Sequence, residues 1–126
     1  MRSLRWWRIL TVVAAGSILI LSLLPGPLEI PGNVRFADKI AHFAAYAVLG
    51  YLIFTSLFKG KELRTVVLVT LLCLLYGGLI EFLQTFTHRQ PEIWDLVADA
   101  IGAVCGAAAG AGLSRRARSR SEPSRN

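Results

Sequence analysis

Four runs of apolar residues divide the chain, each close to the roughly 20 residues a helix needs to cross about 30 Å of hydrocarbon. They cover about Trp6 to Leu24, Ile40 to Phe58, Thr65 to Phe86 and Ile93 to Leu113. None alternates with the period of a strand, and four strands are too few to close a membrane barrel. The pattern therefore predicts an all-α polytopic membrane protein with four transmembrane helices. Pro25 and Pro27 stop the first run. Arg2, Arg5 and Arg8 ahead of it also suit a signal peptide, but Leu23, Leu24 and Pro25 stand where cleavage needs small residues. It reads as an uncleaved span.

Polar residues inside these runs fall on stripes. Asp38, His42 and Tyr46 share one face of the second helix. Gly77, Glu81, Gln84 and His88 share one face of the third, and Asp95, Asp99, Gly102, Gly106 and Gly110 one face of the fourth. Ionisable groups in lipid are costly, so each is a functional candidate. The glycines make overlapping G-x-x-x-G steps that let backbones approach closely. They place the acids of the fourth stripe toward the bundle, and they also offer a surface for a homo-oligomer.

Composition agrees with lipid as the shield: of 126 residues 54% are hydrophobic and 17% charged, with mean hydropathy +0.52. The length permits one compact domain and no second catalytic one. The net charge of +6 is unevenly placed. Basic residues crowd the N-terminus, the second loop (Lys59, Lys61, Arg64) and the tail (Arg115, Arg116, Arg118, Arg120, Arg125), whereas the first and third loops nearly balance. Positive segments stay inside, so both termini are expected in the cytoplasm. On that topology the three stripes meet in the outer half of the membrane. Asp38, Glu81, Asp95 and Asp99 outweigh Lys39 and Arg89 there, leaving two negative charges.

The domain reading is residues 1–113 as the membrane domain and 114–126 as a disordered basic cytoplasmic tail, too polar to bury a core. Attraction to anionic lipid explains that tail better than nucleic acid, and no nucleic-acid partner is expected. Cys73 and Cys105 lie in separate spans without a thiol neighbour and read as small core residues. The apolar first loop, Leu28 to Phe36, is expected to cover part of the pocket. Trp6, Trp7 and Trp94 read as interfacial anchors.

The chemistry open to the pocket is narrower. A cation would relieve the acidic surplus, but no H-E-x-x-H spacing is present, and no metal or cofactor is assigned. No G-x-S-x-G elbow occurs, and Ser17, Ser22 and Ser56 lie off the stripes, which speaks against a serine nucleophile. His42 and Glu81 could act as an acid–base pair, and an enzyme is the less favoured reading. Asp38, Lys39, His42, Tyr46, Glu81, Gln84, Arg89, Asp95 and Asp99 are the candidate ligand-binding residues. The competing account is a buried hydrogen-bond network that orients three helices.

Asp38-Lys39-Ile40-Ala41-His42-Phe43, followed by Tyr46 and Leu49-Gly50, resembles the D-K-x-x-H-F-x-x-Y-x-x-L-G signature of the VanZ-like membrane proteins. Tyr76-Gly77 with Glu81, Gln84 and Phe86, and Arg89, Asp95 and Gly102, fit that family's later elements. Asp99 stands where the family commonly has Asn. The resemblance implies a small multi-pass protein of the bacterial cytoplasmic (inner) membrane, associated with reduced susceptibility to teicoplanin. The expected function is binding of an envelope component, a lipid head group or peptidoglycan precursor, in the outward pocket. Arg89 is its expected holder of phosphate or carboxylate. Membrane lipids, peptidoglycan precursors and the glycopeptide itself are the implied partners. The alternatives are an intramembrane enzyme acting on a lipid-linked substrate and a small transporter subunit.

Overall fold

A computed structural model describes residues 2–24, 34–87 and 89–121. All are helix or short turn: α1 (Arg2–Leu23), α2 (Val34–Leu57), α3 (Glu62–Gln84) and α4 (Ile93–Ser121). Each helix is long and apolar enough to cross a membrane, as the four apolar runs predict. Outward faces carry Val12, Ile20, Leu63, Leu75 and Phe86, all more than half exposed. In lipid these need no cover. The expected first-loop cover over residues 25–33, and His88 of the third stripe, lie outside the described residues.

The helices alternate in direction. Lys39 near the start of α2 reaches Asp95 near the start of α4, and Gln84 at the end of α3 reaches Ser22 near the end of α1. Glu62 at the start of α3 pairs with Arg115 late in α4 at the opposite end. One end of the bundle thus gathers the acidic stripes, and the other carries most of the basic residues.

Packing centres on the parallel pair α2 and α4. A Cβ at Gly102 would meet the Phe43 carbonyl, and one at Gly106 the Ala47 carbonyl. From the other side, a Cβ on Gly50 would stand 2.6 Å from the Ala103 carbonyl oxygen. Without side chains at these points the two backbones touch, and dispersion replaces the missing hydrophobic drive between helices in lipid. Tyr46, Leu49, Phe54, Val69, Cys73, Ala103 and Ala107 form the buried core around this seam. The glycines face the bundle as expected. Their use as a homo-oligomer surface needs correction, because α2 of the same chain fills that face.

Two further expectations change. Cys105 is exposed, not a core residue, because its neighbours Ala103 and Gly106 take the inward face. The expected disorder after Leu113 does not hold through Ser121, since α4 continues that far. Arginine is a good helix former and suits a helix C-terminus. Arg115 pairs with Glu62, and the Arg118 guanidinium lies 5.3 Å from the Phe58 ring centroid. The turn into α3 is made by Gly60, whose φ of 90° suits glycine.

Helix α1 is the least buried. It is tied by side chains instead: Thr11 and Ser56 hydroxyls lie 3.1 Å apart, Trp7 meets Tyr51 edge-on, and the Tyr76 hydroxyl donates to the Ala15 carbonyl. These ties hold α1 against α2 and α3, where it becomes a wall of the site.

Candidate functional site

The second turn of α2 and the first turn of α4 are clamped together by Lys39. Its ammonium donates to Glu92 Oε2 at 2.8 Å and to Asp95 Oδ1 at 3.2 Å. One turn along α2, His42 Nδ1 lies 2.9 Å from Asp99 Oδ1, and its Nε2 lies 3.8 Å from Asp95 Oδ2. Asp95 and Asp99 are 6% and 2% exposed. Burial of two carboxylates is tolerable because a lysine and a histidine from the neighbouring helix face them.

The third stripe serves the same end of the bundle differently. Glu81 Oε2 accepts the Glu92 backbone N–H at 3.1 Å, which fixes the turn entering α4. Gln84, buried, donates to the Ser22 carbonyl at 3.0 Å, and Arg89 Nη1 donates to the same oxygen at 2.9 Å. Both donate to a carbonyl in the last turn of α1, where a helix leaves its carbonyls without intrahelical partners. Glu81 Oε1 is buried without a partner among the described residues.

A cavity of about 240 Å³ opens beside this network. Asp38, Ala41, His42, Ala45 and Tyr46 form its α2 wall, Ile18, Leu21 and Ser22 its α1 wall, and Arg89 closes it. The sequence reading puts nine side chains into one pocket, and the structure divides them. Asp38, His42, Tyr46 and Arg89 line the cavity. Lys39, Glu81, Gln84, Asp95 and Asp99 build the polar network that orients its walls. Pocket and network, which compete in the sequence reading, are both present.

In the structure the partner of His42 is Asp99, and Glu81 accepts from the Glu92 backbone. Ser22, set aside in the sequence, stands on the cavity wall with its carbonyl occupied. The contribution of α1 was missed because Ile18 and Leu21 are ordinary lipid-span residues. Only the proline at position 25, a residue type that stops helices, signals it in the sequence.

Tyr46 is 1% exposed and its hydroxyl has no hydrogen-bond partner among the described residues. A buried unpaired hydroxyl costs about 1–3 kcal/mol. Tyr46→Phe should therefore keep or raise the thermal stability of the purified protein in detergent. A clear drop in melting temperature would show that the hydroxyl is satisfied by bound water.

A model of the family described as VanZ/LLP1 matches residues 2–113. No curated protein and no solved structure matches the chain.

Proposed function

Because the chain belongs to the VanZ/LLP1 family of membrane proteins, we propose that it binds an envelope component in the cavity between α1 and α2 and thereby lowers susceptibility to glycopeptide antibiotics such as teicoplanin. In this reading it spans the bacterial cytoplasmic membrane with both termini inside and the acidic end of the bundle outward. The basic residues at the opposite end, among them Arg115, Arg116, Arg118 and Arg120, support that orientation.

The observation that carries the proposal is a cavity with charged groups on its wall at the acidic end of four helices long enough to span a membrane. Asp38 and Arg89 offer opposite charges on a wall that also presents the apolar side chains of Ile18, Leu21, Ala41 and Ala45. That combination suits an amphiphile with a polar head and a hydrocarbon body. Arg89 has one nitrogen committed to the α1 carbonyls, and the rest of its fork has no hydrogen-bond partner among the described residues and suits a phosphate or carboxylate.

The test uses a teicoplanin-sensitive bacterial host. Expression of the protein should raise the inhibitory concentration several-fold, and Asp38→Asn should remove most of that increase at equal membrane abundance. Asp38 lies at the start of α2 and only partly buried, so its replacement leaves the helix seam intact. A variant as protective as the wild type would remove the cavity from the function.

A further inference from the structure

Histidine 42 is held in a way that the cavity reading does not use. Its Nδ1 faces the Asp99 carboxylate at 2.9 Å, so a proton placed there leaves Nε2 with a free lone pair. Two more carboxylates, those of Asp38 and Asp95, stand near the ring. One ligand atom each from Asp38, His42 and Asp95 lies within 4.8 Å of the other two. Lys39 occupies Asp95 Oδ1, and the other oxygen, Oδ2, is the one 3.8 Å from His42 Nε2.

We propose that Asp38, His42 and Asp95 bind a divalent transition-metal ion, with Asp99 as the residue that positions the imidazole. One imidazole nitrogen and two carboxylate oxygens form a borderline donor set that suits Zn2+ better than Mg2+. A carboxylate on the far nitrogen of a ligating histidine is the common support of such sites, since it fixes the tautomer and the ring plane. Metal–ligand bonds of about 2.0–2.2 Å draw donors closer than they stand here, and rotation of the Asp38 and Asp95 side chains supplies the difference.

A second feature points to a ligand in the same cavity. Tyr46, one turn beyond His42 on α2, forms part of the cavity wall with Asp38 and His42 and is 1% exposed. Its hydroxyl has no partner among the described residues. A buried hydroxyl without a protein partner beside a polar cavity calls for a bound species. Three protein ligands leave a metal position open to water or an anionic oxygen. The site stands independently of the antibiotic phenotype, because it concerns only the binding of an ion.

The test is metal titration of the full-length protein in detergent, with any affinity tag removed and prior treatment with a chelator. Zn2+ competed against a chromophoric chelator should bind one ion per chain with micromolar or tighter affinity. Asp38→Asn should weaken it at least about tenfold, and Asp99→Asn by about 10- to 100-fold as expected for a supporting carboxylate. Co2+ in place of Zn2+ should give a visible absorption band that Asp38→Asn diminishes. Circular dichroism of each variant separates loss of the site from loss of the fold, and Asp38, outside the buried pair, decides the matter. Binding well below one ion per chain, or equal affinity in wild type and a folded Asp38→Asn, would overturn the assignment.

Discussion

Gly106→Leu should abolish the docking of α2 on α4. A Cβ at this position would stand 2.7 Å from the Ala47 carbonyl carbon and 2.9 Å from the Tyr51 nitrogen, before the rest of the leucine is added. Both atoms belong to the α2 backbone, so no side-chain rotation relieves the overlap. Overpacking by a few methylenes costs about 1–3 kcal/mol where neighbours can shift, and the cost here should lie at or above the upper end. For a chain of this size that corresponds to a melting temperature lower by about 10 °C or more. Gly112, with open space around its would-be Cβ, is the internal comparison. Gly112→Ala should be neutral or stabilise by up to about 1 kcal/mol. Fluorescence-detected size exclusion after heating reads both, and equal behaviour of the two variants would contradict the seam.

His42→Ala should be the most damaging single change in the polar network. It strips the facing partner from Asp99, a carboxyl 2% exposed. Removing one member of a buried pair costs about 3–5 kcal/mol, because the remaining group keeps its desolvation penalty without compensation. The informative comparison is the double variant His42→Leu with Asp99→Leu. Replacing both partners by apolar groups leaves no orphan, so the double variant should regain most of the stability that His42→Ala loses. Thermal unfolding of the three proteins in one detergent is sufficient. A double variant less stable than His42→Ala would show that the pair contributes net stabilisation, not only mutual compensation.

The four spans were legible because an uninterrupted apolar run about as long as the membrane is thick has few other meanings. Stripe spacing correctly put Asp95 and Asp99 on the buried side of α4, and the glycines below them on the same side. Spacing identifies a face and not a partner, which is why the division of labour among the nine side chains was hidden. Gln84 looks like a ligand-binding group until its bond to the Ser22 carbonyl is seen. The helical continuation past Leu113 was hidden for another reason. Composition says that residues 114–121 cannot bury a core, but a helix already nucleated in the membrane extends at small cost through arginines. The α1 wall was the least legible element, since its contribution is made by apolar side chains and backbone.

That continuation of α4 has a geometric consequence. With 29 residues and a rise of about 1.5 Å each, the helix measures roughly 43 Å against about 30 Å of hydrocarbon. The surplus carries Arg115, Arg116, Arg118 and Arg120 on a rigid stem, two of them fastened to Glu62 and Phe58. Charges on a floppy tether can follow a helix that slides along the membrane normal. Charges on a stem cannot, because every ångström of slip would drag guanidinium groups into the acyl chains. The stem therefore works as a depth stop. It sets the level at which His42, Asp95 and Asp99, at the other end of the same rod and its partner helix, sit below the opposite surface.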